Sequence, residues 1–504
     1  MTHTVVIGGG ISGLATAGLL AREGHRVTLL EKQESVGGRA GVWEQDGFRF
    51  DTGPSWYLMP EVFDHFFTLM GTSAQEQLEL VKLDPGYRVY FEGHRDPIEV
   101  QVGREANLAL FDSIEPGSGA RMARYLDSAA ETYEMAKRRF LYSTFESFTP
   151  LLRGDVLRRS PKLVRLLLQT LDSFASRTVQ DPRLRQILGY PAVFLGSSPY
   201  LTPSMYHLMS HLDLTDGVYY PMGGFTGLIE RIAQLAIDAG VTVRTSAPVA
   251  RILVADGTAV GVELESGERI DADLVVSTAD LHHTETRMLE PQHQTYPQKY
   301  WDSRVAGPGA LLLYLGVKGE LPQLEHHTLL FASDWRNNFG AIFDKPTRMP
   351  EIPSLYICKP SGVDPDVAPD GHENVFVLVP VPADPGLDGL EALADEVIAQ
   401  ISDWAAIPDL AERIVVRRVV GPGDFESGLN AWKGSALGPA HTLRQSAFFR
   451  AGNVSRRVKG LLYAGSSSIP GIGLPMCLIS AELVVKRLRG DVSTGPLPEP
   501  RDAR

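Results

Sequence analysis

The feature that most limits the fold lies at the N terminus, where glycine residues follow a short apolar segment. The run TVVIG, from Thr4 to Gly8, predicts a buried strand. Gly8, Gly10 and Gly13 then form a G-x-G-x-x-G pattern, followed by LATAGLLAREG with helical apolar spacing. A second apolar strand, HRVTLLE, ends in Glu31. This order of strand, glycine turn, helix and strand predicts a Rossmann-type βαβ unit that binds a dinucleotide.

The chemistry of dinucleotide binding gives the glycines and the acidic residue of this unit separate roles. Gly8 permits the tight turn, Gly10 lets the backbone approach a pyrophosphate, and Gly13 lets the helix pack closely on the strand. The helix N terminus offers free N–H groups and a partial positive charge to phosphates. Glu31 can accept hydrogen bonds from ribose hydroxyls and would repel a 2′-phosphate, which disfavours NADP. This motif alone does not distinguish FAD from NAD.

A second glycine pair follows six residues after Glu31, in the segment GGRA at 37–40. Gly37 and Gly38 allow close approach of the backbone, and Arg39 offers planar donors to an oxyanion. The segment resembles the G-G-R extension of the flavoprotein superfamily that includes amine oxidases and carotenoid desaturases. The resemblance implies that this segment lies along the pyrophosphate of FAD and that Arg39 adds a cation to it.

The resemblance continues in three later stretches. It implies that Asp51 and Gly53, in FRFDTGPS, lie near the flavin. From Tyr219, a helix, a strand, a hairpin meander with an Asp-Gly turn and a returning buried strand are predicted. The residue that matches Val249 holds the adenine ring through its main chain in that superfamily. The matching P-x-G-G turn contains Gly223 and Gly224.

Near the C terminus, GLLYAG predicts another buried strand, and a glycine-rich turn follows it. This turn contains Gly465, Gly471 and Gly473, and a helix is predicted from about Pro475. A helix N terminus aimed at the flavin would stabilise negative charge on its ring.

Two further stretches resemble one branch of the superfamily. SSPYLTPSMY and GLNAWKGSALG are similar to segments of bacterial and fungal phytoene desaturases, and the resemblance covers the chain from Thr4 to about Arg487. It implies an FAD-dependent carotenoid desaturase that introduces carbon–carbon double bonds into phytoene, towards lycopene. Hydride transfer to flavin N5, proton loss from the neighbouring carbon, and reoxidation by a quinone or O2 are implied with it.

The resemblance supplies a full set of predicted ligands for non-covalently bound FAD. They are Gly8, Gly10, Ser12, Gly13, Glu31, Lys32, Gly38, Arg39, Asp51, Gly53, Pro54, Ser55, Val249, Gly465, Gly473 and Leu474. No catalytic acid or base is identified, because a hydrocarbon substrate predicts an apolar tunnel without distinctive polar residues. Trp335, Phe339 and Tyr356 are tunnel candidates that we expect to be ordinary core.

No metal site is predicted. Two histidine pairs, His282–His283 and His326–His327, have no acidic residues at helical or strand spacing beside them, so we expect them on the surface or in loops.

The predicted fold class is α/β. A Rossmann-type FAD-binding domain would be assembled from residues 1–100, 220–290 and 420–490. Residues 101–219 and 291–419 would form a mixed α+β substrate domain with a helical, membrane-associating part. The proline-rich stretch 491–504 is predicted to be disordered.

Composition limits the partners and the compartment. Among 504 residues, the formal net charge of −13 disfavours nucleic acid. The two cysteines, Cys358 and Cys477, are far apart, which favours a reducing compartment over a disulfide framework. We expect no signal peptide, because a strand is predicted within three residues of Met1. The apolar runs are shorter than the roughly 18 residues of a membrane span.

These observations predict a cytoplasmic protein, and an insoluble substrate requires contact with a membrane. The stretch 151–175 combines five cations with leucines, which suits an anionic lipid surface. An amphipathic segment whose leucines face the core is the alternative for this stretch.

Three other functions stay open. The first is a related desaturase or isomerase, acting on diapophytoene, on a hydroxycarotenoid or at the 3,4 position. The second is an amine oxidase with covalent flavin, although GLPMCL around Cys477 does not match the expected cysteine pattern. The third is a flavin-containing protein that carries polyenes without turnover.

Overall fold

The computed structural model describes residues 1–146 and 162–500. In these residues the strands are β1 (His3–Ile7), β2 (Arg26–Leu30), β3 (Val42–Gln45), β4 (Phe48–Asp51), β5 (Leu80–Lys82), β6 (Tyr87–Phe91), β7 (Ile98–Val100), β8 (Tyr219–Pro221), β9 (Thr242–Arg244), β10 (Val249–Ala255), β11 (Thr258–Leu264), β12 (Arg269–Asp271), β13 (Leu274–Ser277), β14 (Gly309–Lys318), β15 (His327–Phe331), β16 (Leu355–Cys358), β17 (His372–Val381), β18 (Ile414–Val420) and β19 (Leu461–Tyr463).

Besides the helical residues 162–168, the same described residues form numbered α-helices, the last of them after β19. They are α1 (Ile11–Arg22), α2 (Pro60–Leu69), α3 (Ala74–Gln77), α4 (Arg104–Ile114), α5 (Gly119–Ala136), α6 (Leu171–Thr178), α7 (Pro182–Gly189), α8 (Met209–His211), α9 (Gly224–Asp238), α10 (Leu281–Arg287), α11 (Gln298–Asp302), α12 (Trp335–Phe343), α13 (Leu390–Trp404), α14 (Leu410–Arg413), α15 (Pro422–Leu429) and α16 (Leu474–Arg489).

A parallel five-stranded sheet forms the first layer, in the order β19-β13-β1-β2-β9. Its central strand β1 is covered on both faces, as parallel sheets require. Val6 packs in the cluster that contains Leu14 of α1, whereas Val5 points to the opposite face and packs with Val262 of β11. The strands come from three separated parts of the chain. The predicted α/β fold with a Rossmann-type arrangement is confirmed.

A seven-stranded, largely antiparallel sheet forms the second layer, in the order β18-β14-β17-β16-β15-β6-β7. Strand β14 is buried on both faces: Leu313 and Leu315 pack with α13, and Leu312 and Tyr314 face the other way. Strands β6 and β7 belong to this sheet, although the predicted division places residues up to 100 in the nucleotide-binding domain. The parallel pairing of β6 with β15 joins them to it.

The predicted meander is also present. Strands β10, β11 and β12 pair in antiparallel order, and Asp256 and Gly257 form the turn between the first two. Both turn residues have positive φ, at 48° and 73°, as a two-residue hairpin turn of type I′ requires.

The proline-rich C-terminal stretch differs from its prediction over 491–500. The carbonyls of Ser493 and Gly495 accept hydrogen bonds from the buried ammonium of Lys486 at 2.8 and 2.6 Å, and Leu497 is buried. A buried charge must be solvated by polar groups, so these carbonyls hold the segment against α16. Residues 501–504 lie outside the described residues.

The predicted membrane-associating stretch 151–175 is described only from residue 162. Residues 162–168 are helical there, and Val164 and Leu168 are exposed, at 52% and 73%. Within the described residues, no helix has the length and apolar character that crossing a membrane requires.

Candidate functional site

A continuous cavity of about 750 Å³ is lined in part by residues of both sheets. One part is lined by the glycine-rich turns at the ends of the parallel strands, and the rest by aromatic and aliphatic side chains. Of the predicted cofactor-binding residues, those that line it are Gly8, Gly10, Ser12, Glu31, Lys32, Gly38, Arg39, Gly53, Pro54, Ser55, Val249, Gly465, Gly473 and Leu474. Gly13 and Asp51 do not.

The first glycine turn is shaped by close packing. Gly8 has a φ of +100°, and a Cβ on Gly13 would lie 1.9 Å from the Gly8 carbonyl oxygen. Gly13 therefore lets α1 start directly against the turn, although it does not reach the cavity. A Cβ on Gly10 would meet nothing nearer than the Gly37 oxygen at 3.9 Å. Gly10 thus leaves space on the side where the backbone is predicted to approach a pyrophosphate.

The two glycine loops lie side by side. The amide of Gly37 donates a hydrogen bond to the Gly9 carbonyl at 2.9 Å, and a Cβ on Gly38 would lie 3.3 Å from the Gly10 Cα. Arg39 follows at the cavity wall, and its Nε donates to the Ala436 carbonyl at 2.8 Å. The contact orients the guanidinium, whose planar donors suit an oxyanion.

Glu31 is held in one orientation at the end of β2. Its Oε2 accepts from the Gly9 amide at 2.5 Å, and its Oε1 accepts from the Gln33 amide at 2.8 Å. Next to it, Lys32 donates from Nζ to the Ser427 carbonyl at 3.0 Å, and burial lowers the pKa of Lys32. The Glu31 carboxylate therefore borders the cavity as a fixed acceptor.

Two helix N termini meet at this part of the cavity. The Ser12 hydroxyl of α1 donates to the Cys477 carbonyl of α16 at 3.1 Å. Helix α16 begins after Gly473, whose φ is +115°, and Pro475 occupies its first turn. The start of each helix leaves backbone N–H groups without intrahelical partners, and both helix dipoles favour negative charge.

Asp51, which the resemblance implies to lie near the flavin, contacts the start of helix α9. Its buried carboxylate accepts hydrogen bonds from the amides of Phe225 and Thr226 at 2.7 and 2.9 Å, and from the Thr226 hydroxyl at 2.7 Å. Burial raises the pKa of Asp51. The side chain thus caps the N terminus of α9 and does not line the cavity.

The shape and donors of this part fit FAD. The parallel glycine loops leave a cradle that side chains would fill, and fixed acceptors and helix N termini surround it. These are the groups that a pyrophosphate and a ribose require.

The rest of the cavity is bounded mainly by aromatic and aliphatic side chains. Trp56, Phe331, Trp335, Phe339 and Tyr356 line it, so three residues that we expected to be ordinary core lie at its wall. Sequence reasoning missed Trp56, although it directly follows the FRFDTGPS stretch. A cluster of aliphatic side chains continues this surface: Leu58, Met59, Val193, Leu195, Leu208, Met209 and Leu212.

A buried acid lies behind this wall. The hydroxyls of Tyr87 and Tyr190 donate to Oδ2 of Asp213 at 3.1 and 2.8 Å, and Tyr190 lines the cavity. Burial raises the pKa of Asp213 to about 6, against the opposing effect of the two tyrosine hydrogen bonds. No pattern in the sequence marks this residue, because its partners are distant in the chain.

The expected surface or loop position is wrong for His327, which lies on β15, whereas His326 lies in the loop before that strand. Both are buried, beside Cys358, because β15 and β16 are interior strands of the second sheet. His283 lies on α10 and lines the cavity, and burial lowers its pKa.

Comparison with known proteins agrees with this geometry. Residues 11–489 match the family model described as flavin containing amine oxidoreductase. The chain is 42% identical over 492 residues to a carotenoid 3,4-desaturase of Haloarcula japonica, covering 97% of this chain and 98% of the relative. It is 36% identical over 494 residues to a zeta-carotene-forming phytoene desaturase of Myxococcus xanthus, covering 96% and 93%.

A solved structure shares the fold at low identity. An oxidoreductase from Methanosarcina mazei aligns with a TM-score of 0.66 and 18% identity, covering 96% of this chain and 100% of that one. The predicted superfamily and the FAD cofactor are confirmed. The chain belongs to the flavin-containing amine oxidoreductase family and is an FAD-dependent oxidoreductase.

Proposed function

We propose that the protein is a carotenoid desaturase that introduces carbon–carbon double bonds into phytoene. The observation that carries the proposal is the continuity of one cavity, which joins a dinucleotide cradle to a wall of aromatic and aliphatic side chains. A C40 polyene has no charge or polar group to bind, so such a wall suits it. The two desaturase relatives support the same substrate class.

We propose the following positions for FAD. The paired glycine loops and the Arg39 guanidinium would hold its pyrophosphate. The Glu31 carboxylate would accept from a ribose hydroxyl, and Val249 would hold the adenine. Gly473 and Leu474, at the start of α16, would hold the flavin ring.

The protein's own residues position the substrate and exclude water. FAD, when bound, supplies an acceptor for hydride from a saturated carbon. Trp56, Tyr356 and the surrounding aliphatic side chains hold the polyene by burial of apolar surface. A dry cavity also strengthens every electrostatic interaction inside it.

The test uses phytoene in liposomes and the purified FAD-loaded protein under anaerobic conditions. Bleaching of the flavin together with a more conjugated product supports desaturation. An unchanged flavin spectrum with bound phytoene would instead indicate a carrier without turnover.

A second candidate is desaturation at the 3,4 position, which the name of the 42% identical relative favours. Lycopene and phytoene are offered separately in the same assay. Product from lycopene alone would assign the 3,4 reaction, whereas product from phytoene alone would assign the earlier steps.

Amine oxidation with covalent flavin has its own test. Cys477 lines the cavity and burial raises its pKa, which leaves its thiol a weak nucleophile. We expect acid precipitation to release the flavin into solution. A yellow pellet would support a covalent bond.

We also propose that the protein is cytoplasmic and binds the membrane surface peripherally, with a quinone or O2 as electron acceptor. Val164 and Leu168 support this placement, because they are exposed next to Arg165. Basic and apolar side chains together favour an anionic lipid surface.

A further inference from the structure

Three side chains of metal-binding type meet behind the aromatic wall. His327 of β15 lies directly opposite Cys358 of β16, and His326 precedes β15. One ligand atom from each lies within 4.8 Å of the others. All three residues are buried, with 6%, 0% and 5% exposure for His326, His327 and Cys358.

The imidazoles of this cluster have unused nitrogens. Both ring nitrogens of His326 and the Nε2 of His327 are buried without a hydrogen-bond partner among the described residues. Burying a polar atom without a partner destabilises the folded protein, because the atom loses its hydrogen bonds to water. A ligand bound at this place would therefore give a partner to several of these imidazole nitrogens at once.

The remaining nitrogen of His327 is fixed from the other side. Its Nδ1 lies 2.7 Å from the Tyr356 hydroxyl, and that hydroxyl donates to the Ser55 Oγ at 2.7 Å. Because the Tyr356 proton is used on Ser55, His327 donates from Nδ1 and keeps a lone pair on Nε2. Histidines that bind metals are oriented in this way by a second hydrogen bond.

We propose that His326, His327 and Cys358 bind one thiophilic transition-metal ion of the copper(I) or zinc(II) class. Thiolate and imidazole ligands select these ions over magnesium or calcium.

Charge favours copper(I) within this class. Copper(I) with one thiolate is neutral, whereas zinc(II) with one thiolate keeps a net charge of +1 in a buried place. Lys359, which follows Cys358 in the sequence, already has partners. Its Nζ donates to the Leu321 carbonyl at 3.1 Å and lies 3.5 Å from the Glu373 carboxylate.

The ion would join two neighbouring strands that form the cavity wall. It would lie two hydrogen bonds from Ser55, through His327 and Tyr356. The position assigns it a role in fixing Tyr356 at the cavity, without contact with the substrate.

The experiment uses the full-length, FAD-loaded protein. It is incubated with copper(I) under anaerobic reducing conditions, or separately with zinc(II), then freed of loose ions and assayed for metal. We expect about one ion per chain for at least one of the two metals. The Cys358→Ser and His326→Gln variants should each lower the affinity at least tenfold, and Tyr356→Phe by about 10–100-fold through loss of orientation.

The control is Cys477→Ser, which changes the other buried cysteine and should leave metal content unchanged. Flavin content and thermal unfolding verify folding of each variant. Wild-type protein that retains no more of either metal than Cys358→Ser would overturn the proposal.

A second measurement needs no variant. Cobalt(II) added to the wild-type protein should give a sulfur-to-cobalt charge-transfer band if Cys358 is a ligand. Absence of this band, together with absence of bound copper and zinc, would also overturn the proposal. Neither readout uses desaturation, so the metal site and the proposed function fail independently.

Discussion

At the scale of single residues, Gly10 and Gly13 belong to one motif but differ in what a methyl group would meet. A Cβ on Gly13 would collide with the Gly8 carbonyl at 1.9 Å, whereas a Cβ on Gly10 would have its nearest neighbour at 3.9 Å. Gly13 therefore serves packing, and Gly10 leaves open space at the cavity.

Gly10→Ala should fold and lose FAD. The backbone at Gly10, with φ of −71° and ψ of 174°, is allowed for alanine, so only the ligand space changes. We expect FAD affinity to fall at least tenfold while the apoprotein keeps its far-ultraviolet circular dichroism. Gly227→Ala, in the interior of α9 with its nearest neighbour at 3.7 Å, is the matched control with unchanged FAD affinity. Equal FAD binding by Gly10→Ala and wild type would contradict this placement of the pyrophosphate.

Asp213 predicts a pH dependence of stability. Its folded pKa of about 6 lies above the unfolded value of about 3.9, so the folded state binds the proton more tightly. Its contribution is therefore most favourable below about pH 4 and declines as the pH rises to about 6, by about 2–3 kcal/mol in total.

Asp213→Asn removes this titration. Denaturant unfolding with saturating FAD should show that the stability of the variant relative to wild type rises between about pH 4 and pH 6 and is constant above. Asp403→Asn, at an exposed position, should show no such trend. A flat difference for Asp213→Asn would mean that Asp213 titrates normally.

At the scale of elements, sequence reasoning succeeded where a local pattern determines the structure. The strand, turn and helix from His3 to Arg22 and the Asp256–Gly257 hairpin are set by neighbouring residues, and the structure contains them. Partners that are distant in the chain carry no such local signal. The cap from Asp51 to α9, the burial of His327 on an interior strand and the burial of His326 just before that strand were therefore not predicted.

Asp51→Asn should destabilise the protein without weakening FAD binding. An amide oxygen replaces one of the two carboxylate acceptors, and the second becomes a donor facing the helix amides. We expect a loss of about 1–3 kcal/mol in the free energy of unfolding. Asp334→Asn, which alters the exposed cap of α12, should cost less. Lower FAD affinity with unchanged stability would contradict this and would support the flavin-proximal role that the family resemblance implies.

At the scale of the whole molecule, contact with a membrane would explain how an insoluble substrate reaches the cavity, and this contact can be tested. Leu168→Asp should weaken binding to anionic vesicles at least about tenfold, because burying one leucine is worth about 1.5–3 kcal/mol. Ile237→Asp, on α9 with 48% exposure, is the control for an exposed apolar residue elsewhere. Co-sedimentation with vesicles measures both. Equal binding by the two variants would exclude the helix at 162–168 as the contact.

The order of strands in the parallel sheet has a consequence for biosynthesis. Strand β1 is synthesised before the other strands of this sheet, yet one of its neighbours is β13, and the far edge is β19. The nascent chain must hold β1 without that neighbour until β13, at Leu274–Ser277, has been made. We therefore expect FAD to bind only after β19 and α16 have been made, and we expect chaperones to guard the apolar strand β1 until then.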